Sequence, residues 1–300
     1  MKFKRLETRW TAARPGALNN PRRRRKFAPF HRRTERSRRW RSRSEEELVA
    51  TLQMCQKDGV DARPIGDGAS VIASEPGAPG LAVKLSEPAF SEIRFDSPRV
   101  VVGAGVKLGK LATATASAGL GGLEGLVAIP GTVGAAAVAN VSTSSATVGQ
   151  WIESARVATY AGEIFDVSKD ELVFERGGSN LENVIVLSVT FQLEPDDPKS
   201  LAKRLQKTWI VRKKDMPELD SGGMARMFKD PQGQRADELI AEGGFAGTRI
   251  GGAAVCESFP NLILTSDGCA CDDVKRLLTL IETQTNERFH VKLERELKFW

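Results

Sequence analysis

Histidine, tyrosine and cysteine are scarce: the 300 residues hold two, one and four of them. The cysteines stand at 55, 256, 269 and 271, and only Cys269 and Cys271 are close in sequence. Zinc sites draw on C-x₂₋₄-C pairs with further Cys or His. This set is too thin for that, so no metal is expected and the thiols read as reduced, as in a cytoplasm. Long apolar runs are missing too. The stretch 123–141 is broken by Glu124, Pro130 and several glycines, short of the ~18 residues a membrane helix needs. Residues 1–44 never collect the apolar row of a signal peptide. A cytoplasmic protein with no membrane partner is expected.

Acidic residues are nearly absent from the first 44 positions, which carry 17 Lys and Arg against 2 Asp and Glu. Residues 45–300 carry 27 against 36, so the net +6 of the chain hides an acidic body behind a basic tail. With so little to bury, 1–44 reads as disordered. An arm for nucleic acid is the alternative, Trp40 and Phe27 lying among the arginines. Since nothing in 45–300 joins a basic patch to interleaved aromatics, no specific nucleic-acid partner is expected.

From Ser44 the pattern is that of a folded α+β protein. "SEEELVATLQMCQKDGV" offers Ser44 as N-cap, Glu47 as its capping-box partner and Gly59 as stop. "ARPIG", "GLAVKL" and "RVVVGAG" read as strands between Gly and Pro, and "LGKLATATASAG" as a second helix. "SARVATY", "IFDVS" and "VIVLSVTFQL" continue the strands. A boundary is expected near Pro198, giving a first domain over 45–197 and a second over 198–300. The latter holds three helical patterns, the last with apolar residues at 274, 277, 278 and 281, and strand-like "NLILT" and "VKLERELKFW".

One segment is bare of large side chains. "IPGTVGAAA", residues 129–137, reads as a loop entering a helix, with Pro130 fixing the entry and Gly131 and Gly134 free to adopt positive φ. Backbone N–H groups bared there suit an anion or a pyrophosphate. Tight packing between two elements explains small residues nearly as well.

The order of segments resembles the UDP-N-acetylmuramate dehydrogenases (UDP-N-acetylenolpyruvoylglucosamine reductases, or MurB flavoenzymes). Their "G-L-E-x-L-x-x-I-P-G-T-V-G" loop with a following Asn matches Gly122 to Gly134 and Asn140. "ELVFERGGS", "MFKDPQGQRADELIAEGGFAG" and "LERELKFW" are similar to three later family segments, and the agreement runs over 45–300. The resemblance implies a two-lobed FAD-binding domain of the vanillyl-alcohol-oxidase (PCMH) type, followed by a smaller α/β substrate-binding domain. It also implies the reaction: NADPH reduces FAD, hydride passes to the enolpyruvyl group of UDP-N-acetylglucosamine enolpyruvate, and a protein acid protonates the neighbouring carbon. The product is UDP-N-acetylmuramate, a peptidoglycan precursor, and a monomer is expected.

Carried over position by position, the resemblance implies Arg176 as the cation beside the developing enolate and Glu296 as a catalytic glutamate on the last strand. Without it, Arg176 reads as a surface ion pair and Glu296 as a solvated residue of an alternating-charge strand. Lys229 and Asp230 fall on substrate-contacting positions, Asp230 replacing an asparagine. The serine that donates a proton in the family is replaced by Arg226, which cannot readily release one; Ser221 is the nearest hydroxyl. Implied cofactor contacts are Ile129, Pro130, Gly131, Thr132, Gly134 and Asn140, with Gly66, Gly68 and Ser70 from an altered "L-G-G-G-S-N" turn. There Asp67 brings negative charge to a turn that would meet a pyrophosphate. The family strand expected before "SEEELVATL" is missing, and "RTERSRRWRSR" stands in its place, as an out-of-frame read would leave it. These departures favour, as the alternative, a catalytically impaired relative serving as a nucleotide-sugar or flavin binding module.

Overall fold

The computed structural model describes residues 38–73, 79–86, 88–143, 145–215 and 223–300. The six α-helices among the described residues are α1 (Glu45–Lys57), α2 (Leu108–Ser117), α3 (Val133–Val138), α4 (Pro198–Asp215), α5 (Ala236–Glu242) and α6 (Cys271–Phe289). None of the described helices is long and apolar enough to cross a membrane.

The first part of the chain builds two sheets. Arg38–Ser42, Leu81–Leu85 and Ala62–Pro64 pair in parallel in that spatial order. Ile93–Asp96, Arg99–Gly103, Ile185–Gln192, Ile152–Ala158 and Ile164–Ser168 form an antiparallel five-stranded sheet, again in spatial order. The period-2 alternation of "VIVLSVTFQL" has a physical outlet here, because successive residues serve two cores. Val189 and Phe191 join α2 and α3 in one core, with Val100, Leu111 and Val133. Ile185 and Leu187 join α1 in the other, with Leu48, Leu52, Val83 and Phe90. These are the two lobes expected of the fold class.

Two sequence expectations need correction here. Disorder does not extend through residue 44, because Arg38–Ser42 form a full strand against Leu81–Leu85. Trp40 lies opposite Val83 in that register, and Ser42 is fully buried. The strand expected ahead of α1 is therefore present, although its family motif is not. Backbone pairing asks only for extended geometry and tolerates the unusual side chains. Residues 1–37 lie outside the described set. At the start of α1, Ser44 accepts the Glu47 amide at 3.2 Å, while the Glu47 carboxylate accepts from Arg43 N–H at 2.8 Å. The cap is thus one residue wider than the expected capping box.

The second part has its own core. Gly223–Arg226, Leu262–Thr265, Ala253–Val255 and Arg249–Ile250 form an antiparallel sheet, packed with α5 and α6 around Phe228, Ile240, Leu277 and Ile281. The expected strand over "VKLERELKFW" is mostly irregular. Lys298–Phe299 alone make a ladder, in parallel with Val71–Ile72, and Arg295 bridges Phe228. That ladder seats Ile72, from the first part of the chain, in the second core.

Loop 129–134 and the turn at 66–70 touch. A Cβ on Gly66 would lie 2.8 Å from Thr132 Oγ1 and 3.2 Å from Ala135 Cβ, and one on Gly134 would lie 2.7 Å from Ala104 Cβ. Part of the bareness of "IPGTVGAAA" is therefore close packing. Gly66→Ala is expected to lower stability by about 1–3 kcal/mol through overpacking. Adding Thr132→Ala, which removes the hydroxyl in the way, should recover part of that loss in a urea titration. Equal midpoints for the single and double variants would contradict the contact.

Candidate active site

A cavity of about 490 Å³ opens where the two loops meet. Its lining includes Gly66 to Val71, Pro130 to Thr132, Gly134, Lys229, Glu296 and Tyr160, the single tyrosine of the chain. A second cavity of about 240 Å³ shares Ser70, Pro130 and Glu296 with it, and adds Ile129, Asn140, Arg176, Arg212, Arg226 and Asp230. The described site residues expected from sequence are gathered at this pair of cavities. Ser221 lies outside the described residues.

At the first cavity, the amides of residues 66–70 donate to no acceptor among the described residues, while Val71 N–H turns back to Gly68 O. Gly68 has φ +80°, and Gly131, at φ +122°, has no atom within 4 Å of where a Cβ would sit. A cluster of unpaired amides beside open backbone is a cradle for an anion, so these residues fit the diphosphate of FAD. The division of labour differs from the sequence expectation. The amides of Val133 and Gly134 already donate to Val106 O and Ala104 O, leaving the 66–70 turn as the main source of free donors.

Asp67 does not present a bare charge. Its carboxylate pairs with Lys84 at 3.1 Å and closely with Lys107. Burial alone would raise its pKa, yet the two lysines outweigh burial and hold it below the usual carboxylate range. Neither lysine was legible as a partner, since the pairs span 17 and 40 positions of sequence.

Asn140 lines the second cavity, but both polar ends of its side chain are engaged: Nδ2 donates to Glu175 O at 2.7 Å and Oδ1 accepts from Gly149 N–H at 3.0 Å. With φ +44° and a buried side chain, it pins the backbone next to Arg176. Arg176 reaches from there to Gln234 O at 3.3 Å and to within 3.8 Å of Asp230.

The charge cluster centres on Asp230. One carboxylate oxygen accepts the Ala236 amide at 2.9 Å, at the start of α5, and the other lies 2.9 Å from Arg226 and 3.8 Å from Arg176. The two departures from the family pattern, Arg226 and Asp230, are thus partners, and each charge offsets the other. Lys229 pairs with Glu294 at 2.7 Å, which raises its pKa despite some burial.

Glu296 is held by backbone. Its N–H donates to Met227 O at 2.9 Å, placing a side chain only 16% exposed between the cavities. Oε2 is buried without a hydrogen bond, and Arg226 Nε is 3.5 Å away, close enough to attract but not aligned to donate. Burial pushes the carboxyl above the ordinary carboxylate range and Asp230 reinforces the rise, while Arg226 and Lys229 pull against it. The solvated-strand reading of Glu296 fails, because the segment is irregular and turned inward. Arg212 was missed altogether: it sits in the charge-rich run at the end of α4, yet lines the second cavity partly buried, where burial lowers its pKa.

Comparison with known proteins agrees with this architecture. Residues 40–168 match a family model described as FAD binding domain, and residues 217–300 match the UDP-N-acetylenolpyruvoylglucosamine reductase, C-terminal domain. The UDP-N-acetylenolpyruvoylglucosamine reductase of Rhodopirellula baltica is 37% identical over 238 residues, covering 79% of this chain and 78% of its own. That of Parasynechococcus marenigrum is 32% identical, covering 85% and 86%. The crystal structure of the MurB of Thermus caldophilus superposes with a TM-score of 0.73 at 28% identity, over 87% of this chain and 91% of that one. With two family models in sequence order and relatives above 30% identity along most of its length, this chain belongs to the UDP-N-acetylenolpyruvoylglucosamine reductase family.

Proposed function

We propose that the chain reduces UDP-N-acetylglucosamine enolpyruvate to UDP-N-acetylmuramate for peptidoglycan synthesis, and does so as a monomer. The first part of the chain, which takes in the strand Arg38–Ser42 and, through Leu205, helix α4, holds the cofactor, and the second, from Gly223 on, the substrate. FAD is the cofactor of this family and NADPH its reductant. When bound, the flavin supplies hydride to the enolpyruvyl carbon. The observation that carries the reading is the buried Glu296 carboxyl at the meeting point of an amide-lined cavity and an arginine-lined one.

The residues divide the work by charge. Arg176 and Arg226 would supply the cations that a substrate carboxylate and its developing enolate need. Lys229 and Arg212 are placed to neutralise phosphate oxygens. Arg226 cannot give up a proton at neutral pH, so the family serine's part has to be taken by another acid. Glu296 fills it: its raised pKa keeps the carboxyl protonated to higher pH than usual, and its buried oxygen has no competing hydrogen bond. The proton goes to the carbon beside the one receiving hydride, and the carboxylate left behind sits against Arg226 until water reprotonates it.

Glu296→Gln is expected to cut kcat about 10²–10⁴-fold, the range for a lost general acid. It should also stabilise the fold near neutral pH. The native pKa lies above the unfolded value, so ionisation costs stability as pH rises through it. Glutamine has no such cost, and its advantage should vanish in acid, below the ordinary carboxylate pKa of about 4.3. Thermal melts across pH, beside NADPH oxidation assays, check both halves. Full activity in the variant would remove Glu296 from the chemistry.

The impaired-relative reading has one observation in its favour, the arginine at the serine position. It predicts FAD and UDP-sugar binding without substrate-dependent NADPH oxidation. In stability, Arg226→Ser and Asp230→Asn should each destabilise, and the double variant should cost less than their sum by about 0.5–3 kcal/mol, the coupling of neighbouring charges. Additive losses in the double-mutant cycle would show that the two substitutions are independent.

A further inference from the structure

Residues 298–300 run beside the amide-lined turn. Lys298 N–H donates to Ser70 O at 2.9 Å and Trp300 N–H to Ile72 O at 2.8 Å. This seats the Trp300 indole in the wall of the 490 Å³ cavity, where the Arg63 guanidinium lies 5.8 Å from the ring centroid and also lines the wall. Arg63 is itself steered by Asp61, 3.9 Å away.

An indole under a guanidinium is a flat, polarisable surface, and an aromatic side chain offers a stacking face to any base. With the diphosphate of FAD in the cradle at 66–70, as the proposed function has it, a flat ring system lies on either side of that cradle. We propose that Trp300, backed by Arg63, is a stacking platform for one of the two ring systems of FAD, so that the segment supplying Glu296 to the substrate side also supplies a wall of the cofactor site. The proposal rests on FAD as the resident cofactor and on nothing in the catalytic roles of Arg226 or Glu296.

Replacement of an aromatic platform under a base should lower the affinity for FAD roughly tenfold, about 1.4 kcal/mol. The full-length protein, stripped of flavin, is titrated with FAD followed by flavin fluorescence, and with ADP and FMN by calorimetry. Trp300→Leu, which keeps bulk but removes the flat face, should weaken FAD about tenfold, while Trp300→Phe stays within about threefold of the parent. A matching loss for ADP assigns the adenine ring to the platform, and one for FMN assigns the isoalloxazine. Unchanged FAD affinity in Trp300→Leu overturns the proposal, as does an equal loss in the Leu and Phe variants, which would mark the residue as packing only. If Trp300→Leu does not fold, Arg63→Leu takes its place with the same expected loss, and unchanged affinity there overturns the proposal too. Failure of the parent protein to bind FAD would instead sink the cofactor reading itself.

Discussion

Two residue pairs of a parallel ladder hold the site together. The ladder of Lys298–Phe299 on Val71–Ile72 crosses from the second core to the loop system of the first. It fixes the distance between the amide turn and the Glu296 carboxyl, which no other contact of the final segment does so directly. Backbone hydrogen bonds suit that task, because they set position without depending on side-chain identity. Each cavity therefore draws its walls from both parts of the chain, and neither part alone could assemble the charges that meet around Asp230.

Within that frame the site is a balance of charge at close range. Asp67 in the amide-lined turn is matched by Lys84 and Lys107, and Asp230 beside the arginine-lined cavity by Arg226 and Arg176. A buried charge without a partner is costly, whereas a paired and hydrogen-bonded one is tolerated. Glu296 is the exception, with burial outweighing its neighbours. A carboxyl perturbed by burial in this way, where two cavities join, marks a candidate functional group.

The sequence made the elements and the cluster membership legible, and mispriced the individual contacts. Helix α6 was readable because its apolar period is strict, and Ile185–Gln192 because its alternation serves two cores. Arg38–Ser42 was not, since side chains that argue against burial say little about a strand whose register is set by its neighbour. Asn140 was found at its expected place, but its engagement with Glu175 and Gly149 depends on backbone 35 and 9 positions away. Arg212 looked like one more charge on a solvated helix, because nothing in "VRKKD" records which face meets a cavity.

The same distinction bears on whether the arginine at 226 is damage or design. Taken singly, Arg for Ser removes a donor, and Asp for Asn adds an anion where a diphosphate would come. In space the two are one ion pair at 2.9 Å, four residues apart, and the net charge of the pair is that of the neutral residues they replace. A random loss of function has no reason to arrive with its own counter-charge. What the pair does not restore is a hydroxyl proton, and the group left facing the gap is the one carboxyl in the cluster whose oxygen is buried without a hydrogen bond. With the protonation proposed for Glu296, compensation at 226 and 230 makes a consistent chemical arrangement; compensation with no acid within reach would not.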